Sequence, residues 1–178
     1  MNKKNIIVVD LDGTLIPFDS FRLLVLMNIL DIRVLFLLFI RIIRIINNSK
    51  FKQNIVKILI DKRWDVKNAN KFFDKINKHI DVSILKKVQS LYETNDIIIL
   101  CSASPDIYVS KIAQRLGWIG YGSFGSESPI HLYGINKKNF IISKYPTEKY
   151  NYKYSISDSE SDLDLLHMFN NWELIKRN

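Results

Sequence analysis

Apolar residues along this chain follow one rhythm at its ends and another between them. Ile6-Ile7-Val8-Val9 is an unbroken apolar run, the pattern of a parallel strand buried on both faces, predicted over about 5–10. From Phe18 to about Leu91 no alternation appears, and helical spacing predicts helices near 19–30, 33–47, 50–61, 66–79 and 81–93. Asn47-Asn48-Ser49 separates the second helix from the third, while Asp65 and Asp81 are placed to cap the fourth and fifth. The first rhythm returns at 96–101, a second buried strand followed immediately by Ser102. Ser104-Pro105 opens a helix, with the proline at an early helical position, and Gly117 closes it. Five of the six glycines fall within 117–134, a short strand followed by a loop or hairpin. A helix over 137–144, a strand over 152–156, a helix over 162–169 and a last strand over 172–175 complete the series.

Strands alternating with helices give an α/β fold, a doubly wound parallel sheet. The helical stretch reads as a cap domain inserted after the first strand. The expected division is 1–15 with 85–178 for the α/β core and 16–84 for the cap.

Composition narrows the setting. A chain of 178 residues, 47% hydrophobic and 25% charged, can bury a core without staples. One cysteine, Cys101, excludes an internal disulfide, and its apolar run makes it a packed thiol. The N-terminus enters a strand with no signal-peptide pattern, so a cytoplasmic location is expected. Residues 16–84 hold 13 Lys/Arg against 6 Asp/Glu; the rest of the chain holds 13 against 12. Nearly all the excess charge therefore sits in the insert, which suits either an anionic partner or a solubilising surface.

Within the insert, 23–30 and 34–40 are strongly apolar, but Asp31, Arg33, Arg41 and Arg44 interrupt any spanning window. The three arginines share one side of the predicted helix, with Phe36, Phe39, Ile40 and Ile43 elsewhere. Cap packing, an interfacial membrane helix and a true span all remain open. Its aromatics are embedded in aliphatic runs rather than set out for base stacking, so no nucleic-acid partner is expected. His79, His131 and His167 lack metal-ligand spacing, and Trp64, Trp118 and Trp172 read as packing residues.

Four stretches carry chemistry. Asp10-Leu11-Asp12-Gly13-Thr14 follows the first strand, where open α/β sheets bind ligands. Asp10 can attack phosphorus and ligate a metal, and Asp12 can protonate a leaving oxygen and then activate water. Ser102 and Lys137 can hold a phosphoryl group, with Lys138 a neighbouring rival. Asp158 adds a hard oxygen ligand suited to Mg²⁺, and Asp162 can support the metal site.

This set resembles the haloacid dehalogenase superfamily of phosphohydrolases, in the subgroup whose small helical cap lies between the first and second motifs. The D-x-D-G-T pattern matches residues 10–14, the strand-terminal Ser/Thr matches Ser102, and the family lysine matches Lys137. D-S-x-x-D matches Asp158 to Asp162, with the second acid four residues after the first. Ser157 stands where many relatives have glycine, and residues 154–172 are similar to the phosphatidylglycerophosphatase C group. The resemblance implies a phospho-enzyme on Asp10, acid/base work by Asp12, and Mg²⁺ held by Asp10, Asp158 and the Asp12 carbonyl. It also implies phosphate binding by Thr14, Ser102, Ala103 and Lys137.

The expected activity is Mg²⁺-dependent hydrolysis of a phosphomonoester. The substrate is either a lipid phosphate such as phosphatidylglycerophosphate, reached from an anionic membrane surface on the cytoplasmic side, or a soluble ester such as phosphoserine or a sugar phosphate. A membrane-binding scaffold without activity is the non-enzymatic rival. Nothing in the sequence fixes the oligomeric state.

Overall fold

A computed structural model of the chain describes residues 3–61 and 66–176. Its centre is β1 (Lys4–Val9), flanked by β2 (Ile97–Pro105) and β4 (Tyr150–Ser157). Outside these lie β3 (Ile119–Ser123) and β5 (Asn171–Leu174), so the order is β3-β2-β1-β4-β5, every pair parallel. Chain connections run outward in opposite directions from β1 and β4. The carboxyl ends of those two strands therefore form the switch point at which such sheets bind ligands.

The apolar run of β1 explains its central place. Ile6 and Val8 face a cluster with Ile99, Cys101, Phe140, Tyr152 and Leu165. Ile7 and Val9, on the opposite face, are equally buried. Helices flank the strands in sequence: α5 (Val82–Leu91) before β2, α6 (Asp106–Arg115) after it, and α7 (Ile135–Lys144) before β4. Asp81 caps α5 through the Ser83 and Ile84 N–H groups, and Gly117 (φ +72°) follows the end of α6.

Three details differ from the sequence reading. β2 continues to Pro105, so Ser102 lies inside the strand rather than just after it. Its pairing with β1 ends at Leu100 and its ladder with β3 shifts register between Cys101 and Pro105, which frees residues 102–104 from regular pairing. Pro105 is the N-cap of α6, one position before the helix. The helix expected over 162–169 is a 3-10 turn (Glu160–Asp162) running into the single turn of α8 (Leu163–Leu166).

Two compact units emerge, 1–18 with 80–178, and Asp19–His79. The sequence set the insert at 16–84. Asp81 N–H donates to the Leu15 carbonyl (2.8 Å), which stitches the start of α5 to the chain leaving the sheet.

The smaller unit holds α1 (Ser20–Met27), α2 (Ile32–Ile42), α3 (Asn48–Asp61) and α4 (Val66–Lys78). Packing pairs α1 with α4 and α2 with α3, and Phe21 meets Phe51 edge to face at 5.7 Å. Asp19 and Asp31 cap α1 and α2. Trp64 and the cap expected at Asp65 lie outside the described residues. α2 stops at Ile42, and Arg44 takes a left-handed backbone (φ +61°) beyond it. The three arginines consequently do not line one helix face; Arg41 instead donates to the Asn48 side chain (2.7 Å). Among the described residues, no helix is long and apolar enough to cross a membrane.

Candidate active site

Asp10 leaves β1 while its N–H still donates to the Ile156 carbonyl of β4 (3.0 Å). The chain then turns tightly, with Ile16 N–H on the Leu11 carbonyl (3.0 Å). Gly13 makes the turn at φ +73°. A Cβ there would lie 1.9 Å from Asp158 Oδ2, so only glycine leaves room for that carboxylate. Thr14 Oγ1 reaches Asp158 Oδ1 at 3.5 Å. Asp158 follows directly on β4, whose Ile156 pairs with Val9. The matched ends of two adjacent parallel strands thus bring two residues 148 positions apart to one rim.

Gly13→Ala tests this approach. It should cost about 1–2 kcal/mol for the left-handed backbone alone, and the clash with Asp158 adds to that. Thermal unfolding would show the loss, and an unchanged midpoint would mean that Asp158 does not lie against the turn.

Lys137 sits in the first turn of α7, behind Gly134 (φ +55°). Its ammonium is buried and donates to Asp10 Oδ1 (2.8 Å) and Asp162 Oδ2 (2.5 Å). Ser157 Oγ donates to the same Asp162 oxygen (2.8 Å) and accepts from Ser159 N–H (3.2 Å). A line Ser157–Asp162–Lys137–Asp10 therefore runs under the rim, built from β4, the 3-10 turn, α7 and β1. Burial pushes the Asp10 carboxyl up to about 7, although Lys137 pulls the other way. Burial alone would discharge Lys137, but Asp10 and Asp162 outweigh it and hold the ammonium protonated. Burial also raises Asp158, and it lifts the Cys101 thiol to about 12, which leaves that cysteine a core residue.

The 102–104 stretch supplies the third side. Ser102 Oγ accepts from Ser104 N–H (3.1 Å), and Ser104 Oγ donates to Asp12 Oδ2. Ser123 Oγ donates to the Ala103 carbonyl (2.9 Å) and anchors the loop to β3. Direct contacts thus link Lys137 with Asp10 and Asp162, Thr14 with Asp158, and Asp12 with the 102–104 turn. Lys138 takes no part in the buried pair. Ser104 was read from sequence as a helix opener only; its two-residue spacing from Ser102 was the available signal.

Among the described residues, no three His, Cys, Asp or Glu side chains gather as a metal site. The donors on this rim are instead two carboxylates, Asp10 and Asp158, with main-chain oxygens at the turn. Hard oxygen donors of that kind, few in number and leaving room for water, fit Mg²⁺. The space that a Gly13 side chain would fill is the same space that admits the Asp158 carboxylate to the rim.

No protein-family model matches the chain, and no curated protein matches it in sequence. Solved structures do. A protein of unknown function from Bordetella pertussis Tohama I aligns over 96% of this chain and 89% of its own, with TM-score 0.71 and 15% identity. A phospho-aspartyl intermediate analogue of phosphoserine phosphatase aligns over 96% and 86%, with TM-score 0.56 and 16% identity. A substrate-bound phosphoserine phosphatase complex aligns over 97% and 86%, with TM-score 0.56 and 15% identity. At such identities the likeness is one of architecture: the chain shares the Rossmann-like α/β fold of the phosphoserine phosphatase structures.

Proposed function

We propose that this chain is a Mg²⁺-dependent phosphomonoester hydrolase working through an aspartyl-phosphate on Asp10. One observation carries it: a carboxylate at the end of the central strand is bonded to a buried lysine 127 residues away, on the rim that also holds Asp158. An unused buried ion pair is a poor source of stability. A cation fixed beside a nucleophile suits chemistry on an anion.

Asp10 Oδ attacks phosphorus, and the bond from phosphorus to the departing alkoxide breaks. Asp12, in its acid form, gives that oxygen a proton. Water then loses a proton to Asp12 and attacks the phosphorus of the aspartyl-phosphate, which frees inorganic phosphate and returns both residues to their starting states. Ser104 orients the Asp12 carboxyl for both transfers. Ser102, Thr14 and the main chain at Ala103 are placed to donate to phosphoryl oxygens, and Lys137 offsets the repulsion between Asp10 and an anionic substrate. Asp162 keeps Lys137 aimed. Asp10, Asp158 and the Asp12 carbonyl would hold Mg²⁺, which when bound neutralises charge on the phosphoryl group.

For the substrate, the outward apolar residues of α2 favour a lipid phosphate such as phosphatidylglycerophosphate. The resemblance of residues 154–172 to the phosphatidylglycerophosphatase C group points the same way. The phosphoserine phosphatase neighbours favour a small soluble ester. Phosphate release should therefore be measured on a panel of phosphorylated lipids and metabolites, with Mg²⁺ and after chelation. Activity with Mg²⁺ that disappears with a chelator is expected. Turnover of every substrate at the uncatalysed rate would overturn the enzyme reading, and preference for soluble esters would remove its lipid version.

A further inference from the structure

Among the described residues, the outward face of α2 is largely exposed. Ile32, Leu35, Phe36, Phe39, Ile42 and Ile43 recur at spacings of three and four, so they form one row. Ile32 is 75% exposed, Phe36 62%, Phe39 59% and Ile42 74%. The inner face needs only Val34 and Leu37, both buried. Leu30 and Ile45 extend the exposed row beyond either end of the helix. Beside it, α2 and α3 enclose a cleft of about 710 Å³ whose walls include Leu35, Phe39 and Ile58 together with Arg33 and Lys57. A soluble surface rarely leaves so continuous an apolar strip facing water unless something covers it.

Charge identifies the cover. Residues 19–61 hold seven Lys/Arg and three Asp/Glu. Two of those carboxylates, Asp19 and Asp31, accept N–H groups as helix caps, and Asp31 also pairs with the Arg33 guanidinium (3.3 Å), which leaves Arg44 and Lys57 beside the row in excess. The apolar row is thus bordered by cations. A second copy of the chain would bring the same cations against one another, a repulsive arrangement. An acidic lipid surface meets both demands, taking the apolar row among acyl chains and the cations among phosphates.

We propose that the α2 face docks on a bilayer carrying acidic headgroups, with Arg33, Arg44 and Lys57 at the headgroup level. An 11-residue helix is about 16 Å long, half the hydrocarbon thickness, so it lies in the interface rather than crossing it. This inference rests on the smaller unit alone and does not depend on the phosphatase reading.

The test is flotation with vesicles of equimolar phosphatidylcholine and phosphatidylglycerol, set beside pure phosphatidylcholine vesicles. The protein should float with the acidic vesicles, less so at high salt, and weakly with the neutral ones. Phe36→Glu/Phe39→Glu should bind the acidic vesicles roughly a hundredfold more weakly, with the unfolding midpoint and hydrolysis of p-nitrophenyl phosphate unchanged. Arg33→Glu/Lys57→Glu should also lose the acidic vesicles. The Asp10→Asn protein should float like the parent, which separates docking from catalysis. A parent protein that stays at the bottom of the gradient overturns the proposal, as does a Phe36/Phe39 variant that floats equally well. Dimerisation that this variant abolishes, without flotation of the parent, would assign the face to a second copy and overturn it too.

Discussion

Asp10→Asn is expected to reduce phosphate release by about 10⁴-fold or more, the scale on which removal of a catalytic nucleophile acts. The amide is the same size and keeps an oxygen for the Lys137 ammonium, but it cannot form the covalent intermediate. Stability should move the other way. In the metal-free protein burial raises the Asp10 carboxyl to about 7, above its ordinary 3.8. The native state therefore holds that proton more tightly than the unfolded chain does, and the cost of burying the charge grows as pH rises from about 4 to about 7. Asparagine escapes this cost. In chelator, the melting midpoint of the variant relative to the parent should rise between pH 5 and pH 8. An inactive variant that is also less stable at pH 8 would point to a structural role for Asp10; a fully active one would remove it from the chemistry.

Much of this arrangement is legible in the chain itself. Four consecutive apolar residues, Ile6 to Val9, can be satisfied only between two covered faces, so the central strand and the place of Asp10 at its end follow from the sequence. Gly13, Lys137, Asp158 and Asp162 could be named because a turn, a cation and two acids each have few uses in that order. The pattern does not reveal which atom meets which. The Ser104 bond to Asp12 spans 92 positions and depends on where β2 slips out of register with β3, which no local periodicity encodes. Ser157 stood out in the sequence only as a serine where many relatives have glycine; its hydroxyl is spent on Asp162, and only the folded turn brings that acid within reach. The end of α2 was misjudged for a similar reason. Residues 43–46 are apolar enough to continue a helix, but the left-handed backbone at Arg44 stops it. That is a local conformational choice, invisible to hydrophobic spacing.

Lys137→Met should be the most destabilising single change on the rim. Methionine matches the length of the stem but leaves Asp10 and Asp162 buried with their shared cation gone. Breaking one side of a buried ion pair costs about 3–5 kcal/mol, which for a chain of this size lowers the melting midpoint by about 10 °C. The pH dependence distinguishes lost charge from lost packing. Without the ammonium, burial pushes the Asp10 carboxyl further above its unfolded value, because the cation that pulled it down is gone. The native state then binds more protons than the unfolded chain, so the penalty is fully present at high pH and fades as pH falls. The midpoint difference between parent and variant should accordingly be larger at pH 8 than at pH 5. Adding Asp162→Asn to Lys137→Met should restore part of the lost stability, since one uncompensated charge disappears, but none of the phosphate release, since the cation beside the nucleophile stays absent. A deficit equal at both pH values, unmoved by the second substitution, would mean that Lys137 contributes packing alone. The ion-pair line beneath the rim would then be a coincidence of position rather than part of the site.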